Sequence, residues 1–530
     1  MPTFPPSVTV APDPSPWWRD AVCYEIFVRS FFDSNGDGAG DIPGLIDKLD
    51  YLNDGKPGGA DLGVICVWLM PIMDSPSYHG YDIVDYTRVD REYGTDDDLR
   101  HFVDAAHQRG VRVLLDLPLN HTSRTHPWFQ DALTNPASPY RDWYIWSATD
   151  PGYSGSYGQA VWHLAPETGE FYYATFGDGM PDLNYHNPAV TAEAYRISAL
   201  WLERFGIDGF RLDAIKHLIE DGQIQEDSAA THAWMRDYRA YLDTVSPNAY
   251  TVGEVFGGST VSLSSYYPDQ LHAFFHFDLA GQILTGAASG NASGVVTIAT
   301  DAADQIPDHR FATFLSNHDQ TRAMTTLNND VAAAKVAATL LLTLPGTPFI
   351  YYGEEIGVTG TKPDPNLRAP MPWTSSANGG FSSGEPWERF ADDPSRLSVA
   401  QQLGDPASLL NHYRALIALR ASHDALSRGD FVPLRARPRS LSAFVRQSET
   451  ETLLVVVNAG PDMVSDSRVF TGESPLEPGR YAAFPVLGSN IGRVLTVGAN
   501  GSIDDYSPLG ALAPGTAYVF RLVTLPGADG

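Results

Sequence analysis

At roughly 150 residues per domain, a chain of 530 residues has material for two to four domains and a large core. Its 35 basic and 64 acidic side chains give a formal charge of −29, while hydrophobic residues make up 43% and aromatics 11%, too apolar a balance for a disordered acidic tail. The negative field disfavours phosphate backbones and anionic lipid surfaces, so no nucleic-acid or membrane partner is expected; a neutral ligand and a monomeric chain are. The opening MPTFPPSVTVAPDPSP has neither a basic n-region nor an apolar h-region and reads as a Pro-rich leader. A secreted or periplasmic protein whose signal has been removed is favoured over a cytoplasmic one. Cys23 and Cys66 each lie in an apolar run and read as two buried free thiols.

Along the chain, β-like apolar runs alternate with amphipathic helical stretches, the rhythm of parallel βα units. Eight runs stand out: 21–32, 62–71, 111–121, 206–214, 249–256, 271–279, 310–319 and 347–357. Eight is the count of an α/β fold of the (β/α)8 barrel type. Helices are expected over 96–110, with acids at its start and Gly at its end, and over 187–206, where apolar positions recur at helical spacing. Residues 122–187 break the rhythm and are crowded with Trp128, Trp143, Tyr144, Trp146, Tyr153, Trp162, Tyr172 and Tyr173, which suggests a subdomain inserted after strand three. Beyond a helical 409–423, short β runs (SLSAFVR, TLLVVVNAG, RYAAFPVL, TAYVFRLVTL) predict a C-terminal antiparallel β-sandwich. The expected division is a barrel over 1–121 and 188–428, an insert over 122–187 and a sandwich over 429–530.

Carboxylates and histidines collect at the C-terminal ends of the expected strands, where a barrel enzyme keeps its active site. Asp213 ends strand four, Glu254 strand five and Asp319 strand seven, with His121, Arg211 and His318 beside them. Three acids at one mouth repel one another and spread their titration, so that one carboxyl stays protonated while another stays ionised. That is the arrangement glycosidase chemistry uses.

DLPLNH (116–121), GFRLDAIKH (209–217), GEVF (253–256) and FLSNHD (314–319) resemble the four short sequence regions of the α-amylase family, glycoside hydrolase family 13, in the family's order. MPDLN (180–184) is similar to the fifth region and HGYD (79–82) to the Tyr-bearing loop after strand two. The resemblance implies that Asp213 is the nucleophile, Glu254 the general acid/base, and Asp319 a fixed carboxylate that holds sugar hydroxyls and supports the charged transition state. Arg211 would keep Asp213 ionised, His121 and His318 would donate to hydroxyls of the sugar in the cleavage subsite, and Tyr81 would stack under its ring. The implied mechanism is double displacement with retention, on an α-glucan or maltooligosaccharide, with no organic cofactor.

The acidic loop DSNGDGAGD (33–41) places oxygen side chains at Asp33, Asn35, Asp37 and Asp41, a spacing suited with the Ala39 carbonyl to a structural Ca²⁺; it is similar to the divalent-ion loop of the oligo-1,6-glucosidase-like branch. A second calcium site used by many α-amylases would correspond to Asn120, Asn184 and the His217 carbonyl, but Asn184 stands where those amylases carry Asp, a departure that argues against that site. MPDLN lies between QPDLN of oligo-1,6-glucosidases and trehalose-synthase-like enzymes and MPKLN of neopullulanases, an intermediary form. Lys216 and His217 resemble the pair with which α-1,4-acting amylases contact the sugar two places beyond the cut. Tyr78 stands where exo-glucosidases carry an Asp that grips the non-reducing end. Against this, the segment around Arg368, with its Arg-x-Pro-Met-x-Trp core, is similar to oligo-1,6-glucosidases and trehalose synthases, where the Arg could close a pocket. The expected activity is α-1,4-glucan hydrolysis; the alternative is an α-glucosidase or glucosyl-transferring enzyme acting on short substrates.

Overall fold

The computed structural model describes residues 16–56 and 58–526, so the Pro-rich leader, apart from Pro16, lies outside the described residues. All eight apolar runs contain a strand: β1 (Cys23–Ile26), β2 (Cys66–Leu69), β3 (Arg112–Leu117), β4 (Gly209–Leu212), β5 (Tyr250–Gly253), β6 (Ala273–Phe274), β7 (Ala312–Thr313) and β8 (Thr347–Tyr351). They pair in parallel in the order β6-β5-β4-β3-β2-β1-β8-β7. A parallel bridge between Phe275 and Ala312, with the His276 N–H donating to the Ala312 carbonyl at 2.9 Å, joins the two ends and closes the (β/α)8 barrel. Inward-facing side chains, among them Trp68, Leu114, Val252, Phe275 and Phe349, fill the barrel as an apolar cluster of their own.

The two cysteines are not free. The register sets Cys23 directly opposite Cys66 on neighbouring strands, the Cα atoms are 4.3 Å apart, and the sulfurs form a disulfide. Both lie in the barrel interior. Nothing in a separation of 43 residues reveals that pairing; only the register does.

The helices start where local chemistry says they should. Residues Asp96–Gln108 begin at a capping box, Thr95 accepting from the Asp98 N–H while the Asp98 side chain accepts from the Thr95 N–H. Pro188–Leu200 is capped by Asn187 with Pro at its first position. The expected single helix then widens into a π turn over Trp201–Phe205 before Gly206 ends it in a left-handed conformation. The turn buries Trp201, whose indole N–H donates to the Tyr86 carbonyl at 2.8 Å.

After β3 the chain enters an aromatic region with a three-stranded antiparallel sheet, Trp146–Ser147, Glu170–Tyr173 and Trp162–Ala165 in spatial order. Its rings pack on one another: Phe129 stacks on Trp146 at 5.6 Å and meets Tyr172 edge-on at 5.1 Å. The C-terminal strands are β9 (Asp430–Arg437), β10 (Leu441–Gln447), β11 (Thr452–Asn458), β12 (Arg468–Thr471), β13 (Gly479–Leu487), β14 (Gly492–Val497), β15 (Ile503–Tyr506) and β16 (Thr516–Thr524). They form an antiparallel ladder β14-β13-β16-β11-β10-β9-β12-β15. The first half of β9 pairs with β10 and its second half with β12, so the sheet folds over and encloses its own core as a sandwich.

Candidate active site

The motif glycines are steric requirements of the barrel. At Gly209, where φ is +147°, a Cβ would lie 1.8 Å from the Tyr250 carbonyl oxygen of the neighbouring strand. At Gly253, immediately before Glu254, it would meet Ile215, Leu271 and Phe274 at 2.6 to 2.9 Å. These approaches bring the ends of β4 and β5 together, and with them Asp213 and Glu254.

Arg211 organises the acids. It is 1% exposed. Its Nη1 donates to Asp213 Oδ1 at 2.6 Å and to both oxygens of Asp116 at 2.9 and 3.0 Å, and its Nη2 lies 2.8 Å from Glu254 Oε2. One planar fork thus fixes three carboxylates, which a point charge could not do. Burial pushes the Glu254 carboxyl up to about 7 against the pull of Arg211, with Asp213 and Asp319 pushing the same way. Burial also raises Asp213, Arg211 opposing and Asp116 and Asp319 assisting. Asp319 goes the other way: burial would raise it, but His318 at 3.3 Å and Arg368 at 2.8 Å hold it well below the usual carboxylate range. Three acids at one mouth therefore titrate apart.

His121 is buried with neither ring nitrogen bonded to protein, and burial pulls it down to about 4, so a neutral imidazole faces the cavity. The Tyr81 ring stacks on His318 at 5.4 Å, and its hydroxyl donates to Asp116 Oδ2 at 2.9 Å. Lys216 donates to the Phe256 carbonyl at 3.1 Å and pairs with Glu226, while His217 Nδ1 lies 3.1 Å from the Gln225 carbonyl. A cavity of about 500 Å³ joins these groups. Its floor holds Asp213, Glu254, Asp319, Tyr81 and His121; one end is walled by Tyr157, Lys216, His217 and Phe256, the other by Lys362, Asp364 and Arg368. Arg211 and His318 lie behind this lining, in contact with its acids. Tyr78 stands behind Arg368, stacked on Trp387 at 5.4 Å.

Asp116 and Glu226 were not among the expected site residues. Asp116 carried a signal: it is the one acid in the apolar run VRVLLDL, and a carboxylate inside a barrel needs a buried partner. Glu226 lies in a polar loop and carried none.

The loop 33–41 does not close as a cage. Among the described residues no group of three or more His, Cys, Asp or Glu side chains is arranged to hold a metal ion, and Asp33, Asn35 and Asp37 accept from amides two or more residues onward in their own loop. Asp41 caps the helix Ile42–Leu52 through the Gly44 N–H at 2.7 Å, and burial raises its carboxyl. The donor set is nonetheless all oxygen, and among the described residues no Lys, Arg or His pairs with Asp33, Asp37 or Asp41, leaving charge that a hard cation would offset. The loop is gripped by a distant segment: Ser382 donates to Asp33, and the Trp387 N–H to the Gly38 carbonyl at 2.8 Å. Of the residues corresponding to a second calcium site, Asn184 turns toward the Asp142 carbonyl at 3.0 Å, whereas Asp182, bridged to His121, comes beside the side chain of Asn120.

Residues 25–429 match the model of the alpha-amylase catalytic domain. Alpha-amylase 3 of Dictyoglomus thermophilum is 38% identical over 454 residues, covering 84% of this chain and 85% of that protein. A trehalose synthase/amylase of Mycobacterium tuberculosis is 35% identical over 543 residues, 91% and 89% of the two chains. The crystal structure of the alpha-amylase from H. orenii superposes with a TM-score of 0.82 at 37% identity, covering 95% of this chain and 99% of that one. Matched across its barrel and carrying three acids around one buried arginine, the chain belongs to the α-amylase family of glycoside hydrolases, family 13.

Proposed function

We propose that the protein hydrolyses α-1,4-glucosidic bonds of maltooligosaccharides and starch by double displacement with retention. The observation that carries this reading is the cavity's continuation past the acids to Tyr157, Phe256, Lys216 and His217, which leaves room for sugars beyond the cut. Glu254, protonated up to about neutral pH, gives its proton to the leaving oxygen as the Asp213 carboxylate attacks the anomeric carbon and forms a glycosyl-enzyme. Glu254, now ionised, takes a proton from the water that attacks the same carbon and frees Asp213. Asp319, held ionised, supports the positive charge that develops on the sugar.

The test is the product ladder from maltopentaose. Short maltooligosaccharides at early times are expected, with specificity constants rising from maltose to maltotetraose because remote subsites act only when occupied. Lys216→Ala should shift the cutting pattern while barely changing cleavage of an aryl glucoside. A second reading rests on the opposite wall: Arg368 pairs with Asp319 at 2.8 Å and Asp364 at 3.5 Å, with Tyr78 and Trp387 behind it, a construction that would close the donor end into a pocket. Release of glucose alone, or conversion of maltose mainly to an isomer or transfer product, would establish that α-glucosidase or transferase action instead.

Glu254 also sets a pH dependence. It must carry its proton to act as the acid, so kcat/KM should fall as pH rises through about 7. A substrate whose leaving group needs no proton, such as glucosyl fluoride, should lack that limb. Finding the same limb with both substrates would remove Glu254 from the acid's role.

We infer further that the loop 33–41 holds one Ca²⁺ through Asp33, Asn35, Asp37, Asp41 and the Ala39 carbonyl. An ion bound only by the folded state stabilises it by mass action. Excess chelator should lower the melting temperature and leave activity at moderate temperature intact; an unmoved melting curve would count against the ion.

A further inference from the structure

Glu25 is the one charged residue of β1. It is 2% exposed and, like Cys23 two positions earlier, faces the barrel interior. A carboxylate there needs a partner. The partner is His318, whose Nδ1 lies 2.6 Å from Glu25 Oε1. Across the ring, Nε2 lies 2.7 Å from the Tyr81 hydroxyl and 3.3 Å from Asp319 Oδ2.

Hydrogen-bond direction fixes the protons. Asp116, ion-paired with Arg211, can only accept, so the Tyr81 hydroxyl donates to it. The Tyr81 oxygen is then left to accept, which requires an N–H at His318 Nε2. Nδ1 faces a second carboxylate and requires an N–H as well. A ring that donates from both nitrogens is an imidazolium.

We propose that Glu25 is a positioning residue that keeps His318 doubly protonated throughout the enzyme's working pH range, so that a fixed cation with its Nε2–H toward Tyr81 and Asp319 stands beneath the cleavage subsite. The chain runs Glu25, His318, Tyr81, Asp116, Arg211 and ends on the two reacting carboxyls. Its catalytic consequence rests on the family 13 reading of the site; the charge of the ring does not. Groups facing the ring agree with the assignment: Glu25 from β1, the Trp68 edge from β2, Tyr81, Asp116 from β3, and Asp319, while Arg368 touches only the His318 carbonyl. Burial alone would strip the proton, but Asp319 and Glu25 outweigh it and hold the ring's titration up to about 10. The cation also offsets part of the charge of carboxylates that one arginine cannot neutralise.

The experiment is a ¹⁵N titration of the His318 ring in the full chain, its signals assigned by their loss in His318→Gln. The wild-type ring should remain doubly protonated from about pH 5.5 to about pH 8.5. A proton lost below about pH 8 in the wild type overturns the proposal without recourse to any variant at Glu25. Glu25→Gln keeps the shape and an accepting oxygen but removes the charge, and its ring should discharge within that window. The ratio of wild-type to Glu25→Gln kcat/KM should then be near one at the acid end and grow to on the order of tenfold at the alkaline end. Glu25→Asp, which restores a charge at shorter reach, should recover part of that alkaline loss. A ratio constant with pH, or a ring that stays charged without Glu25, assigns the residue a packing role only. Failure of the substrate reading would change the turnover arm and leave the ring titration standing, so the two failures are distinguishable.

Discussion

Asp213→Asn and Glu254→Gln should each fold like the wild type and lose kcat by on the order of 10⁴-fold or more on maltooligosaccharides. Both changes keep the shape and an oxygen for Arg211, which bonds each carboxyl within 2.8 Å, so the melting temperature should move little. What is lost differs between them. An amide at 213 cannot attack the anomeric carbon, whatever the leaving group. An amide at 254 can neither deliver the proton, which matters only when the leaving group needs one, nor take the proton from water in the second step, which matters for every substrate. Glucosyl fluoride should therefore restore formation of the glycosyl-enzyme in Glu254→Gln, seen as a burst of fluoride ahead of slow turnover, and give none in Asp213→Asn. Near-wild-type turnover in either purified variant, or equal rescue of both, would refute the roles.

Arg211→Lys, conservative in charge, should lower kcat/KM by on the order of 10² to 10³-fold and destabilise the fold as well. The guanidinium spans Asp116, Asp213 and Glu254 with two nitrogens. An ammonium occupies one point, so at least one buried carboxylate loses its partner, a loss of about 3–5 kcal/mol when a buried pair is broken. With Asp213 and Glu254 released from a common frame, their spacing is no longer fixed, and displacements of about 1 Å cost on the order of a hundredfold. The checks are steady-state kinetics and a thermal melt on the same preparation. Normal kinetics beside a lowered melting temperature would confine Arg211 to a structural part.

Much of the barrel was legible because its strands are buried on both faces and read as apolar runs. The shortest, β6 and β7, have two residues each, so their runs mark position rather than length. In the C-terminal sandwich, β10, β11, β13 and β16 announced themselves as hydrophobic runs, whereas β9, β12, β14 and β15 did not. Edge strands such as β14 and β15 are short and about half exposed, and carry little signal. At the site, the residues bearing chemistry on strand ends were found, with Arg211 beside them, and the buried carboxylates behind them were not: Asp116 and Glu25 are the single acids of apolar strands, meaningful only once the register shows that they point inward. The Cys23–Cys66 bond was hidden for the same reason.

Asp213, Glu254 and Arg211 are anchored on strand ends, whereas each end wall of the cavity includes a residue from a segment that the barrel does not need for closure: Tyr157 from the insert after β3 and Arg368 from the excursion after β8. The excursion that carries Arg368 also brings Trp387 to Tyr78 and clasps the loop 33–41. Selection can therefore act on the two ends separately from the centre. A lengthened insert or a shifted excursion changes how many sugars fit on one side of the bond without disturbing the carboxyl spacing that breaks it. Such a division makes substrate range the evolvable property of this scaffold and the bond-breaking step its inherited one.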